Sequence, residues 1–324
     1  MKLTYKNNFS IEKNTFIKIY KQLTRLQSSS YLLVRYFGAA SNIFFKRLAF
    51  SLIVHKIKLP VNAKIGGLNF KARSTNSQFH SIYFDEYSDC YEPDVYGAIE
   101  KYLPKHGVML DIGSNWGHHT FDAVYRKDAT VYSFEPNNNV FNDLTKIISD
   151  LNFEHKVIPH NFGLGATAGY LQLEQSGFES GVGSVDSSFL AGRVLRRHWL
   201  AQIVDWITLK KPIVQSAEVR VLDDVFNPQS NVDFIKIDCE GYELNTLKGG
   251  RKLIARDLPV IVFEIHTDDT NSNYRLFEDF FVSIHYELFE INTDVNCGVW
   301  DIKAIKTLTP NTQYNILAKS KSKS

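Results

Sequence analysis

The sequence predicts an α/β protein with a doubly wound, mostly parallel sheet and a basic, mostly helical segment ahead of it. Three observations carry that expectation. From Tyr102 onward short apolar runs alternate with helical stretches, the pattern of strands joined by crossovers. Each run ends in glycine or polar residues, where such sheets bind ligands. Charge is also divided: residues 1–60 hold eleven Lys/Arg against the single Glu12, whereas the remainder carries a net charge of −8.

Taken in order, residues 1–60 read as one basic unit. No continuous apolar core follows Met1, so a secretory signal is not expected. The longest uncharged run, Tyr36 to Phe45, is too short to span a bilayer. Its Phe, Leu and Ile residues suit either a helical layer packed on the body or a helix lying in a membrane interface. A cytoplasmic protein is therefore expected, with residues 1–60 either packed on the body or in peripheral contact with a membrane. Pro60, Gly66 and Gly67 punctuate the boundary to a second unit over residues 61–318. The Lys/Ser stretch 319–324 reads as a disordered tail. Three scattered cysteines, Cys90, Cys239 and Cys297, form neither a disulfide framework nor a zinc site, and no metal is expected.

Buried strands are expected at Val108–Ile112, Thr130–Phe134, Lys156–Pro159, Phe234–Ile237 and Val260–Ile265. A further strand is expected at Val219–Leu222, after a turn at Gly181–Ser184. Between them, residues 189–211 read as an inserted amphipathic helix, with Leu195, Trp199, Ile203 and Trp206 at helical spacing beside Arg193, Arg196 and Arg197.

The chemistry gathers at the strand ends. The first strand runs into Asp111-Ile112-Gly113-Ser114-Asn115-Trp116-Gly117. Gly113 and Gly117 allow a tight strand-to-helix turn that would leave amides facing a ligand. The second strand ends in Glu135, eighteen residues beyond Gly117, where a carboxylate can accept both hydroxyls of a ribose. The plain alternative for Asp111 and Glu135 is helix capping, but both stand at strand ends beside a glycine loop. The fourth strand carries Lys236 and runs into Asp238-Cys239-Glu240-Gly241-Tyr242-Glu243, a charge density that burial penalises unless the groups are paired or used. Lys236 is expected to pair with Glu264 or Glu240. His118 and His119 are expected to pack or edge a cofactor, and Cys239 to fill core.

These residues resemble the FkbM family of S-adenosyl-L-methionine-dependent methyltransferases. The likeness lies in Tyr91-Glu92-Pro93, the Asp111–Thr120 loop, Phe134-Glu135-Pro136, Asn161 to Gly165, Leu222-Asp223-Asp224, Asp233 to Gly241, and Phe263-Glu264-Ile265. It implies a class I, Rossmann-like methyltransferase fold with a reversed last strand. It also implies a cofactor site in which the loop Asp111, Gly113, Ser114, Asn115 and Gly117 wraps the methionine part, Glu135 holds the ribose, Asn161 lies near the adenine and Asp238 near the amino group. The implied reaction is O-methylation of a hydroxyl on a sugar, glycan or related natural product. Losing the hydroxyl proton calls for a general base, and His266, Asp238, Glu240 and Glu264 are the candidates.

A nicotinamide-dependent oxidoreductase is disfavoured by the absence of G-x-G-x-x-G. A methyltransferase-fold scaffold without activity is opposed by the intact strand-end set. A nucleic-acid substrate is not expected for an acidic body, leaving a small-molecule or glycan acceptor.

Overall fold

A computed structural model describes residues 61–65, 68–72, 92–175, 183–184, 213–226, 231–265, 273–293, 300–305, 307–308 and 315–323. The basic segment 1–60, the expected insertion 189–211 and His266 lie outside the described residues. In chain order the elements are β1 (Val61–Ile65), β2 (Leu68–Ala72), α1 (Pro93–Tyr102), β3 (Val108–Ile112), α2 (His118–Lys127), β4 (Thr130–Phe134), α3 (Asn138–Leu151), β5 (Val157–His160), β6 (Gly163–Leu164), β7 (Gly169–Gln175), β8 (Gly183–Ser184), β9 (Ile213–Arg220), α4 (Leu222–Val225), β10 (Phe234–Ile237), α5 (Glu243–Gly249), α6 (Arg251–Asp257), β11 (Val260–Glu264), α7 (Asn273–Ser283), β12 (Tyr286–Thr293), β13 (Trp300–Ile305) and β14 (Asn315–Ser320).

The main sheet has the order β13-β12-β14-β11-β10-β3-β4-β5. Strands β5, β4, β3, β10 and β11 run parallel, and β14 is reversed between β11 and β12. The chain winds outward from β3 through β4 to β5 and then restarts at β10 on the other side. The crevice between β3 and β10 is thus the switch point where open α/β sheets bind ligands. All five residues of β3 and all four of β10 are buried, as a strand covered by helices on both faces requires. One core layer holds Ile99, Phe121, Leu144 and Ile147 under α1, α2 and α3, and the other holds Ile237, Leu247, Ile254 and Phe281 under α4 to α7.

The expected central strands stand within a residue of their expected bounds. Three other expectations change. The strand expected at Val219–Leu222 is the longer β9, and Leu222 begins a helical turn because Asp224, Val225 and Phe226 donate their amides back to Val221 and Leu222. Gly183 and Ser184 form the short strand β8 against Glu174 and Gln175. Lys319 and Ser320, expected in the frayed tail, belong to β14, where they pair with Glu287 and Tyr286. Lys321–Lys323 then form a 3-10 turn.

Candidate functional site

The glycine loop after β3 is closed on itself. Gly113 and Ser114 both donate their amides to the Phe134 carbonyl, at 3.0 and 3.1 Å. Asn115 donates to Glu135 Oε2 at 3.0 Å, Trp116 to Asn115 Oδ1 at 2.8 Å, and Gly117 to the Ser114 carbonyl at 2.9 Å. Each amide from Gly113 to Gly117 therefore already has an acceptor inside the protein. Gly113, at φ 73, packs so closely on the end of β10 that a Cβ would lie 1.7 Å from the Asp238 carbonyl oxygen. Gly117 caps α2 at φ 95. Both positions need glycine for space and for backbone angle, since a Cβ at Gly117 would lie 2.7 Å from Leu144 and Phe121.

Glu135 is 8% exposed at the end of β4. Each of its oxygens takes one amide, from Asn115 at 3.0 Å and Asn137 at 2.8 Å, leaving one acceptor direction per oxygen. Burial pushes its carboxyl up to about 7 against the pull of those two amides. Asn161 donates Nδ2 to the Glu135 carbonyl at 2.9 Å and so braces the same strand end. Ser114 is buried, with its hydroxyl 3.5 Å from the Phe134 carbonyl.

Across the crevice the charges cluster on Lys236. Its ammonium donates to Asp238 Oδ2 and to the Gly113 carbonyl, both at 3.1 Å, and stands 3.8 Å from Asp111 Oδ1. The expected pairing of Lys236 with Glu264 or Glu240 is thus replaced by Asp238 and Asp111, because β10 pairs with β3 and sets Lys236 level with Asp111. Asp111 is fully buried and takes the Thr120 hydroxyl at 2.6 Å, so it acts through Lys236 on the loop. Burial would lower the Lys236 ammonium, but Asp238, Asp111 and Glu92 outweigh it and push it up.

Glu264, level with Asp238 on the neighbouring strand, is half-buried. Burial first and then the charge of Asp238 raise its carboxyl to about 10, with its proton donated to Asp238 and further pressure from Glu240 and Glu92. Glu240 stands in the left-handed region at φ 52 in the turn before α5. The turn itself is held by Glu243, which accepts the amides of Cys239 and Gly241 at 2.8 and 3.1 Å. Cys239 is half-buried against the second core layer, and burial raises its thiol. The sequence reading did not single out Glu243 for this structural work. It also left Glu92 without a role. Glu92 Oε2 lies 2.6 Å from His119 Nε2.

A doubly wound sheet with a ribose-type acid after its second strand, a glycine loop after its first and an acidic switch point defines a class I methyltransferase. Residues 111–291, more than half the chain, match the methyltransferase FkbM domain, and the chain belongs to that family. It is similar to the hexuronic acid methyltransferase AglP of Haloferax volcanii, with 28% identity over 182 residues, 54% of this chain and 62% of AglP. Among solved structures it is similar to an FkbM methyltransferase from Methylobacillus flagellatus, with a TM-score of 0.43 and 16% identity over 86% of this chain and 60% of that one. It is also similar to a precorrin-6y C5,15-methyltransferase from Geobacter metallireducens, with a TM-score of 0.37 and 13% identity over 70% and 87% of the two chains. The chain thus spans less than two thirds of AglP and of the Methylobacillus protein.

S-adenosyl-L-methionine is the cofactor of this site, and the residues present fit it. Glu135 keeps acceptor capacity for a diol, while Asp238 and Glu92 each leave 28% of the side chain exposed over the switch point. Carboxylates are the donor set that a ligand with positive sulfonium and ammonium centres requires. Among the described residues no group of His, Cys, Asp and Glu is arranged to hold a metal ion.

Proposed function

We propose that this protein transfers a methyl group to a hydroxyl of a sugar or glycan. The observation that carries the reading is the pairing of Glu135 on one side of the switch point with the Asp238–Glu264 carboxyl pair on the other. The likeness to AglP supports a sugar as acceptor. When bound, the cofactor supplies an electrophilic methyl group on a sulfonium. Glu135 would take the ribose hydroxyls, and Asp238, fixed by Lys236, would face the methionine amino group. Holding the acceptor oxygen in line with the methyl group supplies much of the rate. The acceptor hydroxyl must also lose its proton, and His266, Asp238, Glu240 and Glu264 are the candidates to receive it.

The direct test is incubation with S-adenosyl-L-methionine and a panel of uronate and neutral glycosides. Expected is an acceptor heavier by one methyl-for-hydrogen exchange at oxygen. Calorimetric titration with S-adenosylhomocysteine tests the cofactor half: Glu135→Ala should weaken binding more than tenfold, since charge-assisted hydrogen bonds contribute roughly 1.5–3 kcal/mol each. Unchanged affinity in a folded variant would remove Glu135 from the site.

For residues 1–60 we propose contact with an anionic surface, such as a membrane where glycans are assembled on lipid. Its support is the excess of eleven Lys/Arg over one acid. No helix among the described residues is long and apolar enough to cross a membrane. Each basic side chain near an anionic bilayer contributes about 1 kcal/mol. Sedimentation with phosphatidylglycerol vesicles should show binding that high salt reverses and that removal of residues 1–60 abolishes.

A further inference from the structure

Glu92 stands where three elements meet. It precedes α1 in the left-handed region at φ 46. Its Oε2 is seated 2.6 Å from His119 Nε2, on the first turn of α2 after the glycine loop. Two residues on, Asp94 Oδ2 accepts Asn315 Nδ2 at 2.9 Å, and Asn315 is the partner of Glu264 across β14 and β11. The start of α1 is thereby pinned on one side to the loop helix and on the other to the end of β11, which hangs Glu92 over the carboxyl ends of the central strands. From there its charge reaches Lys236, Asp238 and Glu264.

Exposure then separates the partners. His119 is sealed, with 5% of its side chain exposed, whereas 28% of Glu92 is open. Burial pulls the Glu92 carboxyl upward, but the hydrogen bond and attraction of His119 outweigh it and hold it ionised. Asp111 is closed to any ligand at 1% and Lys236 at 6%. The loop amides from Gly113 to Gly117 are donors and already engaged, whereas a ligand's ammonium needs an acceptor, which a carboxylate side chain supplies. Of the carboxylates that reach the crevice, Asp238 is open to the same 28%, and Glu92, fixed and held ionised by His119, adds a second.

We infer that Glu92 is a further binding residue of this site, oriented by His119, whose carboxylate receives the ammonium of the cofactor's methionine end. The inference rests on the S-adenosyl-L-methionine reading. A purely structural Glu92 would cap α1 and brace α2 with no preference among ligands, and the two roles separate by ligand chemistry.

The experiment titrates the full chain and its Glu92→Gln and Glu92→Asp variants with S-adenosylhomocysteine and with its deamino analogue, which lacks the ammonium. Glu92→Gln keeps an oxygen for His119 and loses only the charge. Expected is a tenfold or greater loss for S-adenosylhomocysteine, little change for the deamino analogue, and partial recovery in Glu92→Asp, which also serves as the readout if the Gln variant does not fold. Equal losses for both ligands in either variant, or unchanged affinity for S-adenosylhomocysteine in Glu92→Gln, overturn the assignment. Failure of the unsubstituted protein to bind either ligand would instead overturn the cofactor reading beneath it.

Discussion

Glu135 and Glu264 occupy equivalent places, each at or just past the end of a parallel strand beside the switch point, yet their surroundings are opposite. Burial pushes Glu135 up to about 7 against the pull of two backbone amides. Burial and then the charges of Asp238, Glu240 and Glu92 push Glu264 up to about 10, with its proton in a hydrogen bond to Asp238. Backbone dipoles favour the charged form of a carboxyl, whereas neighbouring carboxylates favour the neutral one. The first environment suits recognition of an uncharged diol, and the second suits storage and transfer of a proton. One fold thus prepares two carboxyls for different work through what lies at the tips of their strands.

The largest expected effect comes from removing the cation between the two ends. Lys236→Met leaves Asp238 and Asp111 facing each other without their ammonium, and stripping one partner from a buried ion pair costs roughly 3–5 kcal/mol. In a protein of this size that lowers the melting temperature by about 10 °C. A change under about 1 kcal/mol in chemical denaturation would mean that the ammonium does not hold the acidic side together.

A smaller and more specific effect is expected from Glu264→Gln. Its folded-state carboxyl is raised from 4.5 to about 10, so the folded protein binds this proton more tightly than the unfolded chain. The stability gained is complete below about pH 4.5 and drains away as pH climbs towards 10. Glutamine mimics the neutral carboxyl and cannot ionise, so the variant's melting temperature should fall less than the parent's between pH 7 and pH 10. Parallel melting curves across that range would mean that Glu264 carries no proton in the folded state.

Much of this contrast was legible in the sequence on the Glu135 side and little on the other. Strands β3, β4 and β10 were readable because an apolar run covered on both faces leaves no other explanation, and Glu135 because it follows such a run at a fixed distance from Gly117. Of the partners of Lys236, Asp238 stands only two residues along the chain, whereas Asp111 was hidden because strand adjacency decides it, and β10 lies beside β3, more than a hundred residues away in the chain. Glu92 was named in the family resemblance, but its contact was not legible for a related reason: its partner His119 is 27 residues distant, and no local pattern announces a contact made across the N-terminal ends of two helices. The strand β14 was hidden by its own composition, since Lys319 and Ser320 resemble a solvated tail until Glu287 and Tyr286 are found opposite them.

The place of β14 has a bearing on how the protein comes into being on the ribosome. The hairpin of β12 and β13 meets the rest of the sheet only through β14, which slots between β12 and β11. Until residues 315–320 have emerged, the edge of β11 stands open and the hairpin has nothing to zip against, a state in which unpaired strand edges invite wrong partners. The same arrival brings Asn315 to Asp94 and so sets the start of α1 over the crevice. A nascent chain halted before that point would hold most of its hydrophobic core and yet lack the Asn315–Asp94 bond and the covered edge of β11.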